Sequence, residues 1–575
     1  MILRVSAAAA VLVVSVAPGP CVGAAETPAD LVLDGAAVYT LDAPRSWAQA
    51  VAVRGGRIVF VGTSAGARAF VGAGTRQLRL DGRMLLPGFQ DAHVHPVSGG
   101  VELLQCNLND LPTARAVLDQ VRHCASVMKD KTWITGGGWG LPIFPGGNPK
   151  KEDLDAIVRD KPAQLYAADG HSSWVNSKAL QLAGVDARTP DPKNGRIERD
   201  AAGNPTGTLR EDASDLVSRL QPKTTPEARL EGLKRALKLF AEAGVTAVQE
   251  ASAGSGAEGG GARNTLAAYL DAEKAGVLTA RVTVALGTDP LRGPEQVDEL
   301  VAVRGEVKST RVRPIAAKIF ADGVIEARTA ALLEPYLDDP ASRGEPNWSP
   351  EALDAIVVRL AESDFNVHIH AIGDRAVRIS LDAFERALAK TSARGQRHQI
   401  AHLELIDPAD ISRFRTLGVI ANFQALWAYP DDYIVDLTWP KLGPARNRWL
   451  YPIGSVVRAG GPLALGSDWS VSSLKPLDAI QVAVTRQGLE EPRRPPLVPE
   501  EAIDLPTALA AYTVGSAHAN GLERETGSIE VGKAADLVVI ERNLFDVPAH
   551  EIAKQRVLLT LVDGKPVHRD PSLTW

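Results

Sequence analysis

Two histidines separated by a single residue, His93 and His95, are the side chains of this sequence best suited to chemistry. They follow the apolar run 84–87, which predicts an extended backbone leading up to the pair. Because side chains alternate along a strand, residues i and i+2 point the same way. Two imidazoles that converge at a strand end form half of a site for a divalent metal ion.

Other side chains that can bind metal ions or transfer protons stand at the ends of further apolar runs. They are Lys318, His370, His402 and Asp468. Imidazoles and carboxylates bind divalent ions, and a carboxylate beside an activated water can accept its proton. A buried lysine can be neutral and nucleophilic. It can then take up carbon dioxide and become a carbamate, whose two oxygens can bridge two cations. Taken singly, Lys318 also fits a salt-bridged lysine and Asp468 a helix N-cap.

Eight strand candidates alternate with amphipathic helices such as 226–243, 350–363 and 376–389. This alternation predicts an α/β fold, a closed (β/α)8 TIM-type barrel, whose active site lies at the C-terminal ends of the strands. The candidates are 84–89, 245–250, 281–286, 314–320, 366–370, 399–402, 419–424 and 462–467.

The barrel is predicted to span 84–515, with β-rich runs on both sides of it. Segments 26–83 and 516–575 are expected to pair into one small β-sandwich. A long insertion, 101–223, follows the first barrel strand and is expected to form a lid. Within it, strands are expected at 133–135 and 164–166, and the glycine run 136–140 is expected to be a loop.

Composition narrows the classes of function. The net charge of -6 over 575 residues comes without a basic stripe, which argues against nucleic acid as a partner. Residues 1–25 have the charged, apolar and small-residue regions of a signal peptide, so we expect a periplasmic or secreted protein. No other stretch is long and apolar enough for a membrane span.

Some features stay open from the sequence. Cys106 and Cys124 remain after removal of the signal peptide and fit either a disulfide or two separate buried thiols. The oligomeric state is also open, with a homodimer among the alternatives.

Several motifs together resemble the amidohydrolase superfamily, specifically amidohydrolase family 3, the group similar to YtcJ and N-substituted formamide deformylase. The resemblance covers essentially the whole mature chain and implies a binuclear site of the zinc type. By motif match, His93, His95 and Asp468 would hold one ion and His370 and His402 the second. Carboxylated Lys318 would bridge the two ions, and Asp468 would also be the general base. The matching segments are 88–95, 318–323, 370–376, 466–469 and 527–538.

The same resemblance suggests which residues meet the substrate. His171 lies in a segment that resembles the family's substrate loop, and Gln424, Asp322, Trp139 and Trp469 are further candidates. The aromatic residues favour a small, partly apolar molecule that carries a carbonyl group. The expected reaction is hydrolysis of an amide or another non-peptide C–N bond. An esterase, lactonase or cyclic amidase with the same site is an alternative, and so is an exported, non-catalytic metal- or solute-binding protein.

Overall fold

The computed structural model describes residues 27–254, 261–391, 395–490 and 494–574. The expected signal peptide, 1–25, lies outside these described residues. Within them, no helix combines the length and the apolar character that crossing a bilayer requires.

The N-terminal segment folds into five strands and one short helix. The turn between β2 and β3 is made by two glycines with positive φ, as tight hairpins require. The elements are β1 (Leu31–Tyr39), β2 (Trp47–Arg54), β3 (Arg57–Gly62), α1 (Ser64–Ala67), β4 (Arg76–Arg79) and β5 (Met84–Pro87).

The prediction of one strand at 84–89 is wrong, because Gly88 divides it into two. The first half, β5, pairs with β1, and the barrel begins only at β6, Phe89–Val94. A Cβ atom at Gly88 would lie 2.3 Å from the side chain of Thr246, so only glycine fits between these strands. Apolar runs of two sheets therefore adjoin across one glycine, and the residue pattern does not separate them.

The insertion forms its own six-stranded sheet with the order β11-β12-β10-β9-β8-β7. Cys106 and Cys124 form a disulfide that ties β7 to α3, which decides the question that the sequence left open. The elements are α2 (Pro96–Glu102), β7 (Cys106–Asn107), α3 (Ala114–Val127), β8 (Ile134–Trp139), α4 (Lys151–Asp155), β9 (Ala163–Ala167), β10 (Ser172–Val175), α5 (Ser177–Ala183), β11 (Gly195–Arg199), β12 (Pro205–Glu211) and α6 (Asp215–Ser218).

The glycine run expected as a loop at 136–140 belongs mostly to β8. A Cβ at Gly136 would lie 2.1 Å from the carbonyl oxygen of Cys106 on β7. The glycine therefore allows two strands to approach closely, a role that composition alone does not distinguish from a loop.

The prediction of a parallel (β/α)8 barrel is confirmed. Its eight strands follow the order β19-β18-β17-β16-β15-β14-β13-β6. The remaining strands are β13 (Val245–Ala253), β14 (Arg281–Gly287), β15 (Val312–Phe320), β16 (Asn366–Ala371), β17 (Gln399–His402), β18 (Ile420–Phe423) and β19 (Leu463–Leu465).

Helices cover the outside of the barrel through apolar faces that pack on the strands. Several begin at a serine or threonine cap followed by proline, as at Thr225 and Ser349. The α-helices are α7 (Pro226–Glu242), α8 (Gly261–Lys274), α9 (Gln296–Glu306), α10 (Pro350–Glu362), α11 (Asp374–Lys390), α12 (Ile411–Leu417), α13 (Trp439–Leu442), α14 (Pro444–Asn447), α15 (Ile453–Arg458), α16 (Pro476–Thr485), α17 (Leu505–Ala510) and α18 (Ser516–Ala519).

Backbone hydrogen bonds close the barrel just beyond β19. The Asp468 N–H donates to the His93 carbonyl oxygen at 2.8 Å, and the His95 N–H donates to the Trp469 carbonyl oxygen at 2.9 Å. A Cβ at Gly466 would lie 2.6 Å from the backbone nitrogen of His93, so this approach requires glycine. The last strand therefore meets the first one at the C-terminal ends of the barrel strands.

Both ends of the chain contribute strands to one eight-stranded sheet, as the expected pairing of the two β-rich ends requires. β5 pairs antiparallel with β20 (Leu537–Ile540), which is followed by β21 (Val557–Val562) and β22 (Lys565–Arg569). A register shift after Asp34 lets β1 pair with β4 first and with β5 afterwards, which keeps all strands in one sheet. Arg281 of the barrel fixes this sheet through an ion pair with Asp536 at 2.7 Å.

Candidate metal centre and active site

His93, His95 and Asp468 meet at the mouth of the barrel. Nε2 of His93 lies 3.3 Å and Nε2 of His95 3.1 Å from the same oxygen, Oδ1 of Asp468. The ligand atoms of the three residues all lie within 4.8 Å of one another, and Oδ1 is buried and has no hydrogen-bond partner among the described residues. Three electron-pair donors around one point are the arrangement that a divalent ion requires.

Asp468 is a carboxylate although it is buried. Burial alone would raise its pKa, but the adjacent His95 and the neighbouring His402 and Lys318 outweigh burial and hold the pKa below its usual value. Its φ of 53° marks a sharp turn after the strand, which directs the side chain into the barrel mouth. A buried, ionised oxygen at this point suits both metal binding and proton acceptance.

His370 and His402 lie beside this group, with ring centroids 4.4 Å apart. Within the part of the chain that the structure describes, Nδ1 of each ring is buried and has no hydrogen-bond partner. His402 Nδ1 is 3.9 Å from Oδ2 of Asp468. Burial lowers the pKa of both imidazoles, so both are neutral and offer the electron pair that a metal ion needs.

Lys318 reaches the same centre from β15. Its buried Nζ lies 3.3 Å from Nε2 of His93 and 4.7 Å from the centre of the Phe320 ring. Burial lowers the pKa of Lys318 to about 7, so a large share of this amine is neutral at neutral pH. A neutral amine among imidazoles has the chemistry required for carbamate formation.

Two acidic side chains stand behind the histidines. Glu250 Oε1 lies 3.7 Å from His95 Nδ1, and the Tyr269 hydroxyl donates to Glu250 Oε2 at 2.8 Å. Burial would lower the pKa of His95, but Asp468 and Glu250 outweigh it and raise this pKa to about 9. Glu250 is missing from the sequence-based site, although its place at the end of the expected strand 245–250 was a usable signal.

Asp322, expected at the substrate, instead holds the loops around His370. Its carboxylate accepts backbone N–H bonds from Ala331, Ile372 and Gly373 at 2.9 to 3.0 Å. Oδ1 also lies 3.4 Å from Nδ1 of His370. The carboxylate is fully engaged, because it positions a candidate ligand and three backbone groups.

His368 is a second residue without a role in the sequence-based site. Its Nε2 lies 2.8 Å from Nδ1 of His93, and Nε2 of Gln249 lies 3.1 Å from its Nδ1. The repeated His-X-His spacing at 368 and 370 was the available signal. His368 faces the rear of a candidate ligand rather than the mouth.

The insertion brings His171 to the mouth, where its ring centroid lies 5.3 Å from that of His370. His171 Nδ1 is 2.8 Å from Oε2 of Glu211, and the Thr329 hydroxyl donates to the other oxygen at 2.7 Å. Burial would lower the pKa of His171, but Glu211 outweighs it and raises this pKa to about 9. A cationic imidazole therefore faces the centre.

The two tryptophans expected at the substrate pack elsewhere. Trp139 is fully buried in the core of the insertion, where its indole N–H donates to the Leu165 carbonyl at 2.9 Å. Strand β8 directs it there, onto Trp174 with 6.3 Å between ring centroids. Trp469 packs on Phe240 at 5.6 Å in the barrel core. The sequence indicated aromatic character without indicating which face of each element it occupies.

Gln424 and Trp427 occupy the end of β18. Both amide atoms of Gln424 are buried, and no described residue offers either of them a hydrogen bond. Asn422 points into the barrel, so strand alternation directs Gln424 inward as well, one layer nearer the mouth. The Trp427 ring stacks on His402, with a 4° angle between planes and 5.6 Å between centroids.

These side chains fit a divalent metal ion. Oδ1 of Asp468 and Nδ1 of His402 are buried electron-pair donors that lack hydrogen-bond partners among the described residues. Buried polar atoms without partners are costly, and bound cations would satisfy them.

The chain is similar to known hydrolases over most of its length. The sequence pattern of the Amidohydrolase family matches residues 79–568. N-substituted formamide deformylase of Arthrobacter pascens is 30% identical over 552 residues, 93% of this chain and 97% of that protein. The putative amidohydrolase YtcJ of Bacillus subtilis (strain 168) is 29% identical over 541 residues, 93% and 98% of the two chains.

The chain is also similar to the solved structure of a metal-dependent hydrolase. An uncharacterized metal-dependent hydrolase from Pyrococcus horikoshii OT3 matches with a TM-score of 0.71 and 26% identity, covering 90% of this chain and 99% of that one. The resemblance inferred from the sequence motifs is confirmed, and the chain belongs to the amidohydrolase family of metal-dependent hydrolases.

Proposed function

We propose that the protein hydrolyses an amide or a related non-peptide C–N bond of a small molecule, with Asp468 as the general base. The observation that carries this proposal is the position of Asp468, an ionised oxygen 3.1 Å from His95 and 3.3 Å from His93 in a buried centre. A purely structural metal site is closed and has no use for a base. The formamide-deformylase name of a relative favours a C–N bond over an ester.

Two zinc ions are the proposed cofactors. His93, His95 and Asp468 would hold one ion, His370 and His402 the other, and carboxylated Lys318 would bridge them. Ions bound there supply a Lewis acid and lower the pKa of a water molecule.

The chain's own residues perform the remaining steps. Asp468 accepts a proton from the attacking water and passes it to the leaving nitrogen, which leaves as the neutral amine. His171, kept cationic by Glu211, donates a hydrogen bond to the substrate. Gln424 offers an amide group whose two polar atoms have no hydrogen-bond partner in the described ranges of the chain.

The test combines substitution with a substrate panel. Asp468→Asn keeps the shape of the side chain, and we expect kcat to fall by about 10²- to 10⁴-fold, as for loss of a general base. Chelation should abolish activity and added zinc should restore it. The panel consists of N-acyl amines, cyclic amides, esters and lactones. Faster turnover of esters or lactones would replace the amidase assignment, and binding without turnover would favour a solute-binding protein.

We also propose that the protein is exported. The N-terminal sequence pattern supports this, and so does the Cys106–Cys124 disulfide, because disulfides persist in oxidising compartments. Mass spectrometry of the protein from cell fractions tests it. A mature N-terminus near residue 26 in the exported fraction is expected, and an uncleaved cytosolic chain would contradict the proposal.

A further inference from the structure

A continuous chain of hydrogen bonds runs through the barrel core to the rear of His93. Every side chain in it is fully buried. The contacts are Asn422 Nδ2 to Ala92 O at 2.9 Å, Asn422 Nδ2 to Gln399 Oε1 at 2.8 Å, Gln399 Nε2 to Gln249 Oε1 at 2.9 Å, Gln249 Nε2 to His368 Nδ1 at 3.1 Å and His368 Nε2 to His93 Nδ1 at 2.8 Å.

The carbonyl oxygen of Ala92 determines which group donates in each of these hydrogen bonds, because a carbonyl oxygen can only accept. Asn422 must therefore present its NH2 group there, and the second hydrogen of that group points to Gln399. The atom of Gln399 facing it must be an oxygen, which leaves the Gln399 NH2 group to donate to Gln249. By the same logic Gln249 donates to His368.

The direction of the chain determines where the ring protons lie. His368 accepts at Nδ1, so as a neutral imidazole it carries its hydrogen on Nε2 and donates to Nδ1 of His93. His93 then carries its own hydrogen on Nε2. That is the nitrogen 3.3 Å from both Asp468 Oδ1 and Lys318 Nζ, on the side of the metal centre.

A metal ligand needs the opposite arrangement. Histidines that bind metal ions donate their second ring N–H to an acceptor behind them. His95 has such an acceptor in Glu250, whereas the group behind His93 donates. The ring of His95 therefore has the acceptor behind it that a metal ligand needs, whereas the ring of His93 does not.

We propose that the Asn422–Gln399–Gln249–His368 chain holds the proton of His93 on its metal-facing nitrogen and thereby weakens metal binding. Gln249 is the positioning residue that transmits this direction to His368. The proposal rests on the metal centre proposed above and identifies one contact that limits its affinity.

The substitution Gln249→Glu tests this proposal, because it should increase the affinity for zinc. A carboxylate at 249 still accepts from Gln399 and also accepts from His368 Nδ1–H. His368 Nε2 can then accept from His93, which frees Nε2 of His93 for the ion. Competition of purified metal-free protein with a chromophoric chelator for zinc should show about 10- to 100-fold tighter binding, the range known for contacts behind metal ligands. Gln249→Met, which neither donates nor accepts, is the matched control and should show a smaller gain.

Gln399→Glu is an independent second variant. A carboxylate at 399 still accepts from Asn422, and it requires Gln249 to turn its NH2 group toward 399 and its oxygen toward His368. The same tightening is expected. In addition, ¹⁵N NMR of histidine-labelled wild-type protein without metal should show the His93 hydrogen on Nε2.

The proposal is overturned if both folded glutamate variants bind zinc no more tightly than the wild type, or if the NMR spectrum places the hydrogen on Nδ1. These measurements use zinc and no substrate. An inactive protein with tighter zinc binding would therefore contradict the proposed reaction and leave the proposal for His93 intact.

Discussion

The backbone N–H of Asp468 donates to the carbonyl oxygen of His93 at 2.8 Å, so the bond that closes the barrel also places the proposed base beside the first metal ligand. The same hydrogen bond therefore closes the barrel and assembles the metal centre. The catalytic geometry therefore depends on how closely the last strand approaches the first.

Gly466 makes that approach possible, and Gly466→Ala should disturb it. The added Cβ would lie 2.6 Å from the backbone nitrogen of His93, which is closer than packing allows. We expect a loss of about 1–3 kcal/mol in the free energy of unfolding, the usual cost of overpacking, and a lower metal content. Urea denaturation and elemental analysis measure these quantities.

Gly305→Ala in α9 is the control for that substitution, because no described residue outside its own stretch of helix lies within 4 Å of the added Cβ. It should be neutral or stabilise by up to about 1 kcal/mol, the difference in helix propensity. Equal effects of the two substitutions would mean that strand approach does not limit stability.

Lys318→Ala should lose both activity and the second ion if a carbamate bridges the centre. For the wild type, we expect zinc reconstitution of metal-free protein to be faster with bicarbonate. The gain should be larger at pH 8 than at pH 6, because the pKa of Lys318 is about 7 and only the neutral amine takes up carbon dioxide. Inductively coupled plasma mass spectrometry gives the metal content. No bicarbonate effect on the wild type would argue against a carbamate.

Glu250→Gln should weaken zinc binding by about 10- to 100-fold, because it removes the negative charge behind His95. Tyr269→Phe removes only the hydroxyl bond to Glu250 and keeps its carboxylate, so the loss should be smaller. Chelator competition ranks the two variants. If Tyr269→Phe were the more damaging, packing rather than charge would explain the effect.

The His171–Glu211 pair should make stability depend on pH. Its raised pKa, about 9 against 6.5 for an ordinary histidine, means that the folded state binds this proton more tightly than the unfolded state. The stabilisation is then complete below about pH 6.5 and is lost as the pH rises through about 9.

The free energy of unfolding of the wild type should therefore fall more steeply between pH 6.5 and pH 9 than that of His171→Gln. Glu211→Gln should flatten the profile in the same way, because it removes the partner that raises the pKa. Parallel profiles for all three proteins would show that the pair is not coupled to folding.

Much of the fold follows from local patterns. The alternation of apolar runs and amphipathic segments predicted the barrel, and the seven strands after the first lie within a few residues of their expected bounds. The predicted strand assignments were wrong where a glycine lies within an apolar or glycine-rich run. Gly88 separates two sheets within one apolar stretch, and Gly136 belongs to a strand because it allows close approach.

The sequence by itself determined the barrel and which side chains end its strands, because each of these depends on residues that are close along the chain. Only the tertiary structure decided which groups stand behind those side chains. His93 and His368 are 275 positions apart, and Gln249 and His368 are 119 apart. Their contacts arise because the side chains of three different strands, β6, β13 and β16, point into a closed barrel. A hydrogen bond depends on distance and direction in space, and residue spacing does not specify either between strands so far apart in the chain.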